Sequence, residues 1–274
     1  MLQVLFFRLT LFLYFLATVF FLYHLWEKKG ESPAEGSSTR LSWSQRLTVM
    51  VTGMGFSTHT LALIIQFKEL YIPFTNLHEA LSFSSWAIIL IFLLVEFRYH
   101  LYILGSFTLP LAFLLLISAA TLPNTPSNLD PTLNTVWLGI HTTLSLLGIV
   151  AFAIAAIFGV MYLLQEKLLK SKQFNALYHK LPPLDLLDEW NKKTIFMGFP
   201  LLTLGMISGA LWSQYSLGSF WSLDHSKLAL SLGTWFFYLI VLHGRMTIGW
   251  RSKKAAYLAI IGFIGVIFIF VSLA

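Results

Sequence analysis

The sequence has no cysteine in 274 residues, so it can build no disulfide framework, thiolate metal site or thiol redox relay. Charge is nearly as scarce. Only 11% of residues are charged, against about 25% in a soluble domain, too few to coat a water-facing surface. A soluble globular enzyme and a disordered chain are both excluded. Also missing are a Walker motif, G-x-S-x-G and G-x-G-x-x-G, which leaves ATPase, hydrolase and dinucleotide-binding readings without support. There is no repeat of the kind that builds solenoids and no heptad array. What is present is hydrophobicity: 57% of the chain is apolar and the mean hydropathy is +0.75.

A bilayer-crossing helix needs about 20 mainly apolar residues. Eight stretches qualify: 2–26, 47–66, 80–96, 101–119, 136–164, 194–212, 227–248 and 255–273. The first is too long for a cleaved signal peptide and runs into the stop-transfer flank Trp26-Glu27-Lys28-Lys29. The expected fold class is therefore all-α, a polytopic membrane protein of about eight transmembrane helices. Lys and Arg sort sharply by loop. The alternate segments 27–46, 97–100, 165–193 and 245–254 hold 15 of the 18, while Lys68 and Lys227 lie on the opposite side and Arg8 within the first span. By the positive-inside rule, both termini are outside. The net charge of +6 thus reflects orientation in a lipid membrane, and no nucleic-acid partner is expected.

Residues 30–40 are composed like a flexible linker, so the expected division is a first helix with its inside linker, 1–46, and a seven-helix membrane domain, 47–274. The longest inside segment, 165–193, is broken by Pro182-Pro183 and is expected to lie along the surface as short helices. Trp137, Trp212 and Trp221 sit at outer span ends and Trp26 and Trp250 at inner ones, as in an interfacial aromatic belt. Gly205 and Gly209, and the row Ala151, Ala155, Gly159, put small residues on helical faces where helices pack closely.

Histidine is the one abundant group left that ligates metals. His24, His100 and His179 lie at inner span ends or in the inside loop and suit solvated roles. His59 and His243 lie within the second and seventh spans, where a polar group needs a partner: a metal, or a hydroxyl on a neighbouring helix. His59 is ~18 Å from the inner end of its span and His243 only a few residues from its own. The resulting ~10 Å offset in depth argues against one shared iron. His78, His141 and His225 are all on the outer side, beside Trp212, Tyr215, Phe220 and Trp221. Imidazoles converging on an aromatic-walled cavity suit haem, whereas a zinc site more often shows closely spaced ligands such as H-x-x-x-H, which is absent.

The segment Gly209–Asp224 resembles a degenerate copy of the tryptophan-rich "WWD" loop of the cytochrome c assembly family (CcsA, CcmC and HemX types). Trp212, Gly218, Phe220, Trp221 and Asp224 match; Leu217 and Leu223 stand where Trp is usual, and His225 replaces the usual Pro. Three further landmarks follow the family's order. Trp137-Leu138-Gly139-Ile140-His141 resembles its W-L-x-x-H. Tyr238 to His243 with Arg245, then Gly249 to Ala256, resembles its Y-x-x-x-L-H-x-R…G-W-R-G-[KR]-[KR]-A-A. Pro73 to Trp86 resembles its P-x-x-N-x-y-E-s-l-x-f-x-x-W. The resemblance spans roughly residues 50–274.

The resemblance implies a haem-handling component of cytochrome c biogenesis in a bacterial inner (plasma) membrane. Such a component receives haem and presents it on the outer face for attachment to apocytochrome c. It implies non-covalent, transient haem b, with His141 an axial ligand and His243 marking an intramembrane entry site. His59 and His225 are further candidate ligands, with Trp212, Gly218, Phe220, Trp221 and Asp224 cradling the porphyrin. No catalytic residue is implied; the chain is a delivery component beside a second membrane subunit rather than a stand-alone synthase. Synthase members carry a second external His after the last span, and this sequence ends at Ala274. The other external ligand is then His225, His78 or a residue of a partner. The eroded loop also resembles the HemX branch, which implies an alternative role as a membrane regulator of haem biosynthesis acting through a protein partner.

Overall fold

A computed structural model describes residues 1–27, 41–70, 76–123, 136–219 and 225–273, with side chains described except at 68–70, 217, 225–227 and 269–273. Among these residues there are nine α-helices and no strand: α1 (Leu2–Trp26), α2 (Trp43–Leu70), α3 (Leu77–Tyr99), α4 (Gly105–Thr121), α5 (Val136–Lys170), α6 (Ala176–Lys180), α7 (Leu184–Leu217), α8 (His225–His243) and α9 (Ser252–Leu273). Seven are long and apolar enough to cross a membrane among the described residues. The eighth expected span, 255–273, falls on α9. The protein is an all-α, multi-pass membrane protein.

The helices divide between two compact units. The first comprises α1, α2, most of α3, α4, the last turn of α5 and α6. Helix α1 buries Thr10, Tyr14, Ala17, Thr18, Phe21 and His24, a stripe spaced three and four residues apart, and exposes Leu5, Phe12 and Phe15. Large apolar groups on the outside, with threonine, alanine and histidine joining Tyr14 and Phe21 at the helix contacts, suit a lipid solvent. Gly55 of α2 lets the Tyr14 ring approach: a Cβ there would stand 2.8 Å from its Cδ1. Hydroxyls bind helix to helix, Thr10 with Thr58 at 2.9 Å, the Trp86 indole N–H donating to Thr60 at 2.9 Å, and Ser85 donating to the Ala112 carbonyl at 2.8 Å.

In the same unit α6 carries Lys180 to the end of α1, where its ammonium donates to the carbonyls of His24 at 2.6 Å and Glu27 at 2.8 Å. A cation suits the negative end of the helix dipole. Burial pulls the Lys180 ammonium below the usual lysine range, with the charge of Glu27 acting the other way. His100 closes the short turn after α3 in a left-handed conformation, φ 54°, its N–H donating to the Glu96 carbonyl.

The second unit holds most of α5 with α7, α8 and α9. On α5 the residues His141, Ser145, Gly148, Phe152, Ala155 and Gly159 share a face by their spacing; on α7 so do Asn191, Ile195, Gly198, Leu202, Gly205, Gly209 and Trp212. These faces meet antiparallel, and the glycines of each let the other helix approach closely. A Cβ on Gly148 would lie 2.8 Å from the Leu202 nitrogen, and one on Gly205 2.9 Å from the Ser145 nitrogen. Below the glycines, Phe152 stacks on Tyr238 of α8, their ring centroids 3.5 Å apart. Gly159 admits the Ala256 carbonyl of α9, 2.8 Å from where a Cβ would be.

Between the expected spans 136–164 and 194–212 the structure differs from the sequence expectation. Helix α5 continues to Lys170 and α7 begins at Leu184, directly after its cap residue Pro183, leaving α6 as the short helix of this segment. Charged residues such as Glu166, Lys167, Glu189 and Lys192 end an apolar span but are good helix formers, so both helices outrun it. The linker 30–40 lies outside the described residues.

Candidate functional site

His141 stands one turn into α5, half-buried against α7. Its Nδ1 is 2.7 Å from the carbonyl of Gly205. A carbonyl only accepts, so Nδ1 carries the proton and Nε2 keeps its lone pair. That is the tautomer of a metal-ligating histidine, with the second nitrogen held by a backbone oxygen. Gly209 provides the seat: a Cβ there would collide with Nδ1 and Cε1 of the imidazole. Ser208 donates to the same Gly205 carbonyl at 2.9 Å and stiffens it.

Trp212 follows Gly209 on the same face of α7 and is buried. Helix α7 then ends at Gly218, a left-handed cap at φ 71° whose N–H donates to the Gln214 carbonyl. Such a conformation is costly for any residue with a Cβ. Ser213 donates to the Ser219 carbonyl at 2.7 Å and fastens the start of the loop that follows. Phe220, Trp221 and Asp224 lie outside the described residues, as does the side chain of His225, which opens α8.

His243 is the last residue of α8 and is exposed, in line with the outward Phe236, Ile240 and Met246. The opposite stripe, Tyr238, Val241 and Arg245, is buried. An imidazole among exposed apolar side chains at the end of a span is a candidate functional group. The five residues after it, Gly244–Ile248, widen into a π turn. From that turn Arg245 reaches inward to Asp188 Oδ1 at 2.6 Å and to Asn191 Oδ1, and the Asn191 amide donates to the Ala155 carbonyl at 2.7 Å.

Asn191 and Ala155 lie at the far end of the α5–α7 seam from His141, ~20 Å away at about 1.5 Å per residue. His141 and His243 therefore mark two sites of one unit, not two ligands of one metal. Sequence reasoning missed both supports. Gly205 and Gly209 read as packing residues alone, and Asp188 and Asn191, three apart on α7, were the available sign of an inward-facing pair for Arg245.

The structure brings His59 to neither site. It belongs to the first unit, is fully buried, and both ring nitrogens are engaged: Nδ1 with the Tyr14 hydroxyl at 3.3 Å and Nε2 with the Ser82 hydroxyl at 3.0 Å. Each ring nitrogen thus has a hydroxyl partner on a neighbouring helix. His78 is buried near the start of α3, where Asn76 caps the Glu79 N–H at 2.9 Å. A cavity of about 190 Å³ in the first unit is lined by His24, His100, Tyr102 and Lys180 among others. That is below the roughly 300–1,000 Å³ of pockets that enclose drug-sized ligands.

A family model described as cytochrome C assembly protein matches residues 74–274. The chain belongs to that family. The match takes in His141, His243 and the Trp-rich segment, whereas His59 precedes it. The chain is 32% identical over 213 residues to the cytochrome c biogenesis protein CcsA of Guillardia theta, covering 71% of this chain and 70% of that protein. It is 34% identical over 220 residues to the protein of the same name from Prochlorococcus marinus strain MIT 9301, covering 72% and 71%. It is 32% identical over 227 residues to that of Chlamydomonas reinhardtii, covering 78% and 62%. Family membership makes this a membrane protein of cytochrome c biogenesis.

Proposed function

We propose that this protein receives haem within the membrane and presents it, non-covalently, on the outer face for attachment to apocytochrome c. Haem b is the cargo, and the observation that carries the reading is the His141 tautomer fixed by the Gly205 carbonyl. His141 binds the iron through Nε2. Trp212 supplies an apolar wall, and Gly218 turns the chain into the Trp-rich loop holding Phe220, Trp221 and Asp224. His243 marks the entry site, completed by a residue of a second membrane subunit. Bound haem supplies the iron and the vinyl groups to which the client's thiols are joined. This cysteine-free chain contributes orientation and iron ligation, with no covalent step of its own.

Orientation follows from charge. Lys192, Lys193, Arg251, Lys253 and Lys254 are exposed near the His243 end of the second unit, which we place on the inner face of a bacterial inner membrane. The His141 end is then outside, where c-type cytochromes are assembled, and the positive charges of 27–46 put the N-terminus outside by the same rule. Residues 1–46 serve as an additional helix and linker before the seven-helix domain 47–274.

Absorption spectra of the detergent-purified protein, made with ample haem, test this reading. Wild type is expected to carry a low-spin haem signal, with His141→Ala and His243→Ala each losing part of it and the double variant losing all. Haem-free wild type would overturn the proposal and favour a regulatory role exerted through a protein partner.

A further inference from the structure

Arg245 follows His243 by two residues where α8 passes into the π turn, and the two side chains take opposite sides, Arg245 buried and His243 exposed. Whatever holds Arg245 inward thus holds His243 outward. The guanidinium is almost fully buried, with 1% of its side-chain surface exposed, so its direction is fixed by its partners rather than by solvent. Those partners are all on α7: Asp188 Oδ1 at 2.6 Å, the Asp188 carbonyl at 3.2 Å, and Asn191 Oδ1. Asn191 is itself pinned to α5 through the Ala155 carbonyl.

Asp188 does a second thing. Its Oδ1 accepts the N–H of Ser252 at 3.1 Å, the first residue of α9, which sits at a positive φ of 62°. One carboxylate oxygen therefore grips the connection from α8 to α9 on both sides of its turn. The turn is closed in between by the Trp250 N–H donating to the Gly244 carbonyl at 2.9 Å, and Gly244 has no Cβ because the Trp250 indole occupies that space. Lys254 covers the outer side of that indole, 3.7 Å from its centroid. Thr247 donates back to the His243 carbonyl at 2.7 Å.

We propose that Asp188, acting through Arg245, is the positioning residue of the His243 site: it locks the π turn so that the imidazole points out of the unit for haem ligation. This rests on the reading of His243 as a haem ligand. Neither residue touches haem. Their contribution is the direction of the ligand and the removal of its rotational freedom.

Two measurements on the full chain separate the clamp from that reading. Because the sequence has no cysteine, His243→Cys gives a unique site for a spin label. With Asp188 in place the label is expected to be ordered and accessible to oxygen in the lipid. Asp188→Asn should add a mobile component and Asp188→Glu should restore most of the order. Identical spectra with and without the charge would overturn the clamp.

The second measurement is haemin titration in a His141→Ala background. Asp188→Asn is expected to weaken binding ~10-fold, and to weaken it no further once His243 is also alanine. An equal loss in both backgrounds would show general damage and overturn the positioning role. Haemin binding that ignores His243→Ala would overturn the ligand reading itself, whatever the label reports.

Discussion

Replacing Asp188 by alanine is expected to destabilise the protein by about 3–5 kcal/mol, the cost of leaving one partner of a buried ion pair uncompensated. The Arg245 guanidinium keeps Asn191 and a backbone carbonyl as acceptors but loses the Asp188 counter-charge, and among the described residues its Nε is already without an acceptor. The Ser252 N–H loses its partner at the same time. Unfolding in mixed detergent micelles reads the change. Adding Arg245→Met should recover most of the loss, since a pair replaced as a whole is cheaper than a charge left alone. A double variant as unstable as the single one would show that the charge is not what matters.

The second large effect is at Gly209. Valine there would thrust its branched side chain into the His141 ring, whose Cγ is 3.1 Å from the site of even a first carbon. Either the ring turns and breaks its bond to the Gly205 carbonyl, or α5 and α7 part along a seam that has no slack at Gly205 and Gly148. We expect ~1–3 kcal/mol of destabilisation from overpacking. The haem that depends on His141 should bind 10–100-fold more weakly, about the effect of losing an orienting partner. Valine at Gly233, where a Cβ would meet nothing within 4 Å, is the control and should leave haem content unchanged.

How much of this was legible in the sequence varies by residue. The spans were legible because lipid demands apolar runs, and the break at Pro182-Pro183 because two successive prolines remove two N–H donors and hold the preceding residue away from helical backbone angles. Helix ends were not: Asp185 and Lys193 read as loop residues since they have no place in hydrocarbon, yet both sit inside α7. His141 was legible as a candidate ligand from its neighbours, but the partner that holds its ring is a backbone carbonyl, which no side-chain pattern encodes.

For His59 the sequence allowed a metal or a hydroxyl. The structure supplies two hydroxyls, Tyr14 and Ser82, from residues remote in the chain. Arg245 was counted among the inside charges, although its guanidinium is turned into the unit by two residues of another helix. In each case the missing information was a contact between distant segments.

The central claim is that His141 binds haem iron through Nε2, and chemical rescue tests it most directly. His141→Gly removes the imidazole, and free imidazole can re-enter the space it leaves. The protein should purify with little of the haem assigned to this site and regain a low-spin spectrum when haemin and imidazole are supplied together. A His141→Gly protein that keeps the wild-type spectrum without imidazole would contradict the account.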